Sequence, residues 1–299
     1  MRQKITKALA DPVWLAYRLW AHLHRRSLWR RYASLARAAG LRRLYLIFSL
    51  DCDTQEDIAV VSEVHARLLD LGVKPVYAVP GELLRKGAKV YRQIMASGGE
   101  FINHGYAEHM YFDARRGAYE SCFFYDRLPR EQVRQDILAG DACLREVLGV
   151  APQGFRAPHF GTFQKPEQLG FLHGVLKELG YGFSTSTMPY YAFRRGPVFS
   201  RFGIREIPVS GSHSSPLNIL DSWTFFAASG HGYSPGDYFR EGEAAAAGYR
   251  RLGVGLLNYY VDPSHVHQQE AFYQTVECWL RVAHPVNYRQ FLKEVSSEK

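Results

Sequence analysis

An apolar run that stops on two acids one residue apart, LYLIFSLDCDTQED at Leu44 to Asp57, constrains this 299-residue chain more than any other stretch. Leu44, Tyr45, Leu46, Ile47, Phe48 and Leu50 predict a strand buried on both faces, as the strands of parallel sheets are. Asp51 and Asp53 stand at its carboxyl end. Residues i and i+2 of a pleated strand share a face, so the two carboxylates point the same way. Like charges held that close repel and shift each other's pKa unless a cation or a shared proton intervenes, which reads as a metal site or an acid/base site. The competing reading is structural. Thr54 followed three residues on by Asp57 has the pattern of a capping box, and the acids would then serve the following helix. Cys52, between the acids, falls on the opposite side of the strand and reads as packing rather than as a nucleophile.

Beyond that strand the chain alternates. Helical periodicity covers residues 54–71, 82–96, 131–148, 166–179 and 267–283, and strand signals fall at 74–79, 101–102, 181–187, 204–209 and 254–261. Strands alternating with amphipathic helices imply a parallel sheet, and on a single large domain they favour a closed or nearly closed (β/α) barrel. A long Pro- and Gly-rich segment, residues 187–236, interrupts the alternation. The 46% hydrophobic and 14% aromatic content excludes a disordered chain. Four cysteines (Cys52, Cys122, Cys143, Cys278) show neither metal-ligand nor disulfide-framework spacing, which points to a reducing compartment. No stretch has the length of apolar residues that a membrane span needs, and the N-terminal apolar segment is too broken by arginines for a secretory signal, so the expected location is the cytoplasm.

The net charge of +8 is local. Residues 1–43 hold 11 Lys/Arg and one Asp, net +10, while the remaining 256 residues hold 26 Lys/Arg and 28 Asp/Glu, net −2. The division separates a basic helical extension at 1–43 from a catalytic unit at 44–299. Asp11 as N-cap with Pro12 at the first helical position predicts a helix start. Val13, Ala16, Tyr17, Trp20 and Leu23 then share one face, with Arg18, His22, Arg25, Arg26 and Trp29 around the other. A basic amphipathic helix with tryptophans fits an interfacial anchor, over residues 11–31, on an anionic inner membrane leaflet. The alternative is a helix that packs its apolar stripe on the barrel and leaves its arginines in water. Nucleic acid is not expected as a partner, because no binding module accompanies the basic run.

The unusual polar residues sit just after strand candidates: Asp51 and Asp53, His104 and His109, Arg156, and Asp262 with His265. In a (β/α) barrel those ends meet on one face. Asp53, His104 and His109 supply one carboxylate and two imidazoles, a set suited to a divalent first-row ion, Zn²⁺ first and Co²⁺, Ni²⁺, Mn²⁺ or Fe²⁺ after it. An Arg at a strand end beside Pro158 is placed to hold a carboxylate bidentately, against the plainer reading of a structural salt bridge. A lone histidine near a strand end is more often structural; two within six residues, near an acid pair, favour the metal.

Five short motifs taken in order, SLDCDT, NHGYAEH, FRAP, DSW at Asp221 to Trp223, and YYVDPSH, make the stretch from about residue 44 to 290 resemble the polysaccharide deacetylases, the NodB-homology carbohydrate esterases. The DxDT form of the first motif is also similar to membrane-associated deformylases of lipid-linked aminosugars. The resemblance implies a distorted (β/α) barrel of about seven parallel strands that removes acetyl or formyl groups from amino sugars with a divalent metal. It assigns Asp51 as general base, Asp53, His104 and His109 as ligands, Arg156 as partner of the base, and Pro158, His159, Asp221 and Trp223 to the substrate pocket. An oxyanion would be held by the metal and a backbone N–H near FRAP, and an imidazole would protonate the leaving amine.

This sequence departs from the family pattern twice. The second histidine of the usual motif stands four residues after the first, where this chain has Glu108, so either the loop is one residue longer and His109 binds, or Glu108 is the third ligand. The usual last motif has a histidine directly after the strand, where this chain has Asp262. His265 is then the expected general acid, oriented by Asp262, against a plain turn with a surface histidine. The leading expectation is an N-deacetylase of glycan, O-antigen or lipopolysaccharide biosynthesis, acting in the cytoplasm on the inner membrane face. The competing expectations are an inactive barrel that binds a glycan or lipid headgroup, and an amidohydrolase of a small non-sugar amide.

Overall fold

The computed structural model describes residues 12–227 and 232–297, which leaves the expected N-cap Asp11 outside the described residues. Its strands are β1 (Leu44–Asp51), β2 (Val76–Val79), β3 (Glu100–Asn103), β4 (Met110–Asp113), β5 (Ala118–Ser121), β6 (Gly154–Phe155), β7 (Phe183–Ser184), β8 (Phe199–Arg201), β9 (Ile204–Glu206), β10 (Gly255–Val261) and β11 (His284–Pro285). Every residue of β1 is buried. β1 lies between β10, paired along nearly its whole length, and β2, paired at its carboxyl end, with β11 beside its start.

The order β10–β1–β2–β3–β6–β7–β9 is parallel throughout, with β8 antiparallel on its outer edge. These seven parallel strands, with β11 also parallel beside β1, curl into the expected distorted (β/α) barrel. Between β9 and β10 no ladder forms. Pro208 has no N–H to give one, and the gap is bridged by Ser210, whose N–H donates to the Asn258 carbonyl (2.8 Å) and whose Oγ accepts the Asn258 N–H (2.9 Å). The Asn258 amide donates in turn to the Pro208 carbonyl (3.0 Å).

Helices Gln55–Asp70, Arg130–Leu148 and Pro166–Glu178 fall within a residue or so of their expected positions. The helix expected at 82–96 is broken at Gly87 into Gly81–Lys86 and Ala88–Ala96, and the last expected helix is shorter, Glu270–Leu280. The segment at 187–236 contains a helix, Pro189–Arg195, and leads into the long helix Pro235–Leu252.

The basic N-terminal segment forms two helices rather than one, Pro12–Leu23 and Arg25–Ala38, broken at His24. The second is built into the barrel wall: Leu28 and Tyr32 are buried, and the Tyr32 hydroxyl both accepts the Leu256 N–H (3.0 Å) and donates to the Leu256 carbonyl (3.2 Å). The expected faces of the first helix are corrected by packing. Trp14, Tyr17 and Trp20 lie against the core, whereas Val13 and Leu23 face outward. Trp29, expected on the polar side, packs edge-on against Tyr32, Phe193 and Tyr249.

Candidate active site

Asp51 is the last residue of β1, His104 follows β3, Arg156 follows β6 and Asp262 follows β10, so the four strand ends bring their polar residues to one rim. The turn after β1 is shaped by Asp57. Its Oδ2 accepts the N–H of Asp53 (3.0 Å), the N–H of Thr54 (2.9 Å) and the Thr54 hydroxyl (2.7 Å), while Thr54 Oγ1 accepts the Asp57 N–H (3.1 Å). The capping box expected at Thr54–Asp57 is therefore present and leaves Asp51 and Asp53 free of capping duty. Cys52 is buried in the core.

The histidine loop is fastened from beneath. Gly105 has φ +81°, and a Cβ there would lie 2.3 Å from the Asp136 carboxylate. The helix under the loop approaches so closely at Gly140 that a Cβ would meet Asn103 Oδ1 at 2.4 Å. Asn103 uses this proximity: its amide donates to the Ile137 carbonyl (2.9 Å) and its Oδ1 accepts the Gly105 N–H (2.9 Å). Asp136 accepts the Ala107 N–H (2.8 Å). The loop is thus hydrogen-bonded to the helix before it reaches His109.

Asp53 Oδ1 lies 3.0 Å from His109 Nε2 and 3.5 Å from His104 Nε2. One ligand atom from each of the three residues lies within 4.8 Å of the others. His104 Nδ1–H donates to the Arg156 carbonyl (2.7 Å), which turns the Nε2 lone pair inward. Asp53 Oδ1 and both ring nitrogens of His109 are buried without a hydrogen-bond partner. Buried polar atoms ordinarily find partners; the orphaned Asp53 Oδ1 and the His109 Nε2 that faces it are what a cation would satisfy. Burial alone would raise the Asp53 pKa, but His109 and His104 outweigh it and hold the carboxyl well below its usual range. Burial likewise opposes charge on His104, and Asp53 overrides it to raise the imidazole pKa.

Glu108 does not join this cluster. Its carboxylate pairs with Lys86 and its N–H donates to Glu82 Oε2 (2.7 Å), so the alternative ligand is turned away and the longer loop presents His109 instead.

Asp51 is buried and pairs with Nη1 of Arg156, a side chain with no exposed surface. The bidentate clamp expected from sequence is absent: Nη2 donates to Ser49 Oγ (2.9 Å) and to the Tyr288 hydroxyl (3.0 Å). Burial pushes the Asp51 carboxyl up to about 6, against the opposing pull of Arg156 and His104. The N–H groups of Arg156 and Ala157 donate to the Asn103 carbonyl (2.9 Å) and to Ser186 Oγ (2.9 Å), so these two residues of FRAP offer no oxyanion donor.

On the far side, His265 Nδ1 lies 3.0 Å from Asp262 Oδ2, and Ser222 Oγ donates to the same oxygen (2.7 Å). Burial opposes a charged ring, but Asp262 more than compensates and raises the His265 pKa. Asp57 reaches this side as well, accepting the Ser264 N–H through Oδ1 (2.8 Å). Burial and the nearby Asp262 push its carboxyl up to about 7. Asp221 caps the short helix Ser222–Phe226 by accepting the Thr224 N–H (2.7 Å), and Trp223 leans on His265 with ring centroids 5.7 Å apart.

These groups line a cavity of about 340 Å³ whose walls include Tyr119, Phe160 and Trp223. Asp51, Asp53, His104, His159, Asp221, Asp262 and His265 all border it, but Pro158 does not: it is buried, and Ala157 and His159 form the wall on either side. His159 adopts φ +55°, stacks on Phe124 at 4.3 Å and donates Nε2–H to the Cys122 carbonyl (2.6 Å). Burial, with His109 adding to it, lowers its pKa to about 4, so the ring is neutral at ordinary pH.

Asp57, Ser222, Tyr288 and the hairpin β4–β5, which contributes Met110, Tyr119 and Ser121 to the wall, were not expected from sequence. The Thr54–Asp57 spacing was a signal for the first. The Tyr288 contact has no local signal, because it joins residues 132 apart.

No protein-family model matches the sequence, and no curated relative matches it either. Solved structures do match in fold. A structure described as that of a polysaccharide deacetylase from Mycobacterium smegmatis superposes with a TM-score of 0.64 at 19% identity, over 87% of this chain and 92% of that one. Puue allantoinase gives 0.64 at 12% identity, over 86% and 91%. The CE4 family pseudoenzyme BA3943 of Bacillus anthracis gives 0.50 at 11% identity, over 84% and 66%. The chain thus has the fold of the polysaccharide deacetylases, which an allantoinase and a pseudoenzyme share. No helix among the described residues is long and apolar enough to cross a membrane.

Proposed function

We propose that the protein is a metal-dependent N-deacetylase that removes an acetyl or formyl group from an amino sugar during glycan biosynthesis. The observation that carries this reading is the convergence of Asp53, His104 and His109, with orphaned donor atoms, beside the buried Asp51–Arg156 pair. Those three residues would hold a divalent ion, with Zn²⁺ the best match to two imidazoles and a carboxylate. Such an ion supplies Lewis acidity to the amide carbonyl and lowers the pKa of water beside it.

The chain's own residues supply the proton transfers. Asp51 takes a proton from the attacking water, and Arg156 fixes the direction of its carboxylate. As the water oxygen bonds to the carbonyl carbon, the carbon–nitrogen bond breaks, and the nitrogen leaves as an amine once protonated. His265 gives that proton from Nε2, because Nδ1 is engaged by Asp262. The cavity is about the size of one sugar ring with its amide, and Trp223, Tyr119 and Phe160 provide flat apolar faces for such a ring among the carboxylates that accept its hydroxyls. A lipid-linked aminosugar, met at the inner membrane face, is the form of substrate this reading favours.

The test is metal content and turnover together. Purified protein is expected to carry about one metal ion per chain and to release acetate or formate from N-acylated aminosugars. Asp51→Asn is expected to abolish turnover while metal remains. Activity that survives this substitution removes Asp51 from the mechanism. A metal-loaded protein that turns over ureides but not aminosugars replaces the substrate, and one that turns over neither leaves a binding barrel.

A further inference from the structure

Helix Pro12–Leu23 is apolar on two sides. Its inner side is accounted for: Ala21 is buried, Trp14 and Trp20 lie on the core, and Tyr17 meets Tyr190 edge-on at 5.2 Å. Its outer side carries Leu15, Leu19 and Leu23, four residues apart and so in line, 38%, 53% and 65% exposed, with Val13 beside them at 42%. A helix resting on its own barrel needs only one apolar stripe. Of the eight large hydrophobic side chains exposed among the described residues, four are on this one helix. Such concentration marks a surface that meets something else.

The surrounding charge says what. Residues 12–43 contain eight Arg and no Asp or Glu. Arg18 lies on the same helix and packs its guanidinium over Trp14 at 4.9 Å, while Arg26 and Arg30 are exposed on the next. A second copy of the chain would have to bring one such basic segment against another, and like charges oppose that. Nucleic acid would meet the arginines but leave the leucines in water. An anionic bilayer satisfies both, since leucines enter the acyl boundary by about 5–10 Å while arginines stay among the phosphates.

We propose that helix Pro12–Leu23 docks the protein in plane on an anionic lipid surface, with Leu15, Leu19 and Leu23 inserted and Arg18, Arg26 and Arg30 at headgroup level. The docking is independent of the hydrolytic reading, because none of these residues borders the active-site cavity.

Vesicle sedimentation tests it with the full chain, comparing pure phosphatidylcholine with phosphatidylcholine holding roughly one-third phosphatidylglycerol. The unaltered protein is expected to bind the anionic vesicles, and binding is expected to fall as salt rises. Leu15→Asn/Leu19→Asn/Leu23→Asn is expected to weaken partition by at least about tenfold. Arg18→Gln/Arg26→Gln/Arg30→Gln is expected to lose about tenfold or more on the anionic vesicles alone. Circular dichroism and metal content identical to the parent show that the variants are folded. Failure of the unaltered protein to sediment overturns the proposal, and so does equal partition of the leucine variant. Dimerisation lost in the leucine variant, without vesicle binding, overturns it in favour of a second copy. Binding to nucleic acid in place of vesicles overturns it also.

Discussion

Arg156→Met isolates what the buried ion pair contributes. The substitution keeps much of the side-chain volume and leaves the Asp51 carboxylate without its cation in a site with almost no exposed surface. Removing one partner of a buried pair typically destabilises by about 3–5 kcal/mol, because the remaining charge is uncompensated. At roughly 2.1 cal/mol/K per residue for the entropy of unfolding, that loss lowers the melting temperature of a chain this long by about 5–8 °C. The loss must depend on pH. The folded pKa of Asp51 is already raised, to about 6, above its unfolded value, and loss of Arg156 raises it further. A raised carboxyl pKa gives stability that is complete below the unfolded value and disappears as pH rises through the folded one. At pH 8 the whole penalty is therefore present. At pH 5 Asp51 is largely neutral, and only the hydrogen bonds to Ser49 and Tyr288 are lost, at about 1 kcal/mol each. Calorimetry of chelated protein at both pH values reads the difference, and Asp51→Asn added to Arg156→Met is expected to recover about 2 kcal/mol at pH 8. An equal penalty at both pH values, with no recovery in the double variant, would refute the argument and leave Arg156 as a packing residue.

Other outcomes follow from the same reasoning applied elsewhere. His265→Ala is expected to lower kcat by about 10²–10⁴, with KM little changed and the loss of activity at high pH displaced, because the raised imidazole pKa sets where the proton donor is exhausted; an unchanged pH profile would remove His265 from proton transfer. Glu100, buried near the Arg289 N–H at the start of the last helix, has its carboxyl pushed up to about 7 by burial. Its raised pKa means that stability falls as pH climbs from about 4.5 to about 7, by at most about 3 kcal/mol. Glu100→Gln is expected to flatten that fall, read as urea midpoints at pH 5 and pH 8, and a slope that persists would place its origin elsewhere.

Much of the barrel was legible because its signals are local. The β1 run, the helices at 55–70, 130–148 and 166–178, and the strand-end positions of Asp51, His104 and Arg156 follow from periodicity and from polar residues ending apolar segments. Strands of two residues such as β6 and β7 have no period to read, so the sequence signal overruns them or merges with a neighbouring motif. The helix Pro235–Leu252 was missed although Ser234 and Asp237 form a capping box at its start, since the Pro- and Gly-rich stretch before it dominated the local reading. Within the site, identities were more legible than contacts. Asp53, His104 and His109 converge, whereas the contacts that aim the side chains of the site, Tyr288 on Arg156, Ser222 on Asp262 and the Arg156 carbonyl on His104, are joined by the fold across large separations in sequence. A helical wheel alone cannot tell the two apolar sides of the first helix apart, and its tryptophans are its seat on the barrel.

Arg156 grips Asp51 with its guanidinium and His104 with its carbonyl oxygen. The gap between the Asp51 carboxylate and the His104 imidazole is therefore spanned by a single residue, not set by the relative position of two loops. The hairpin β4–β5 and the loop ahead of Asp221, which wall the cavity from outside this contact, can change length without changing that gap.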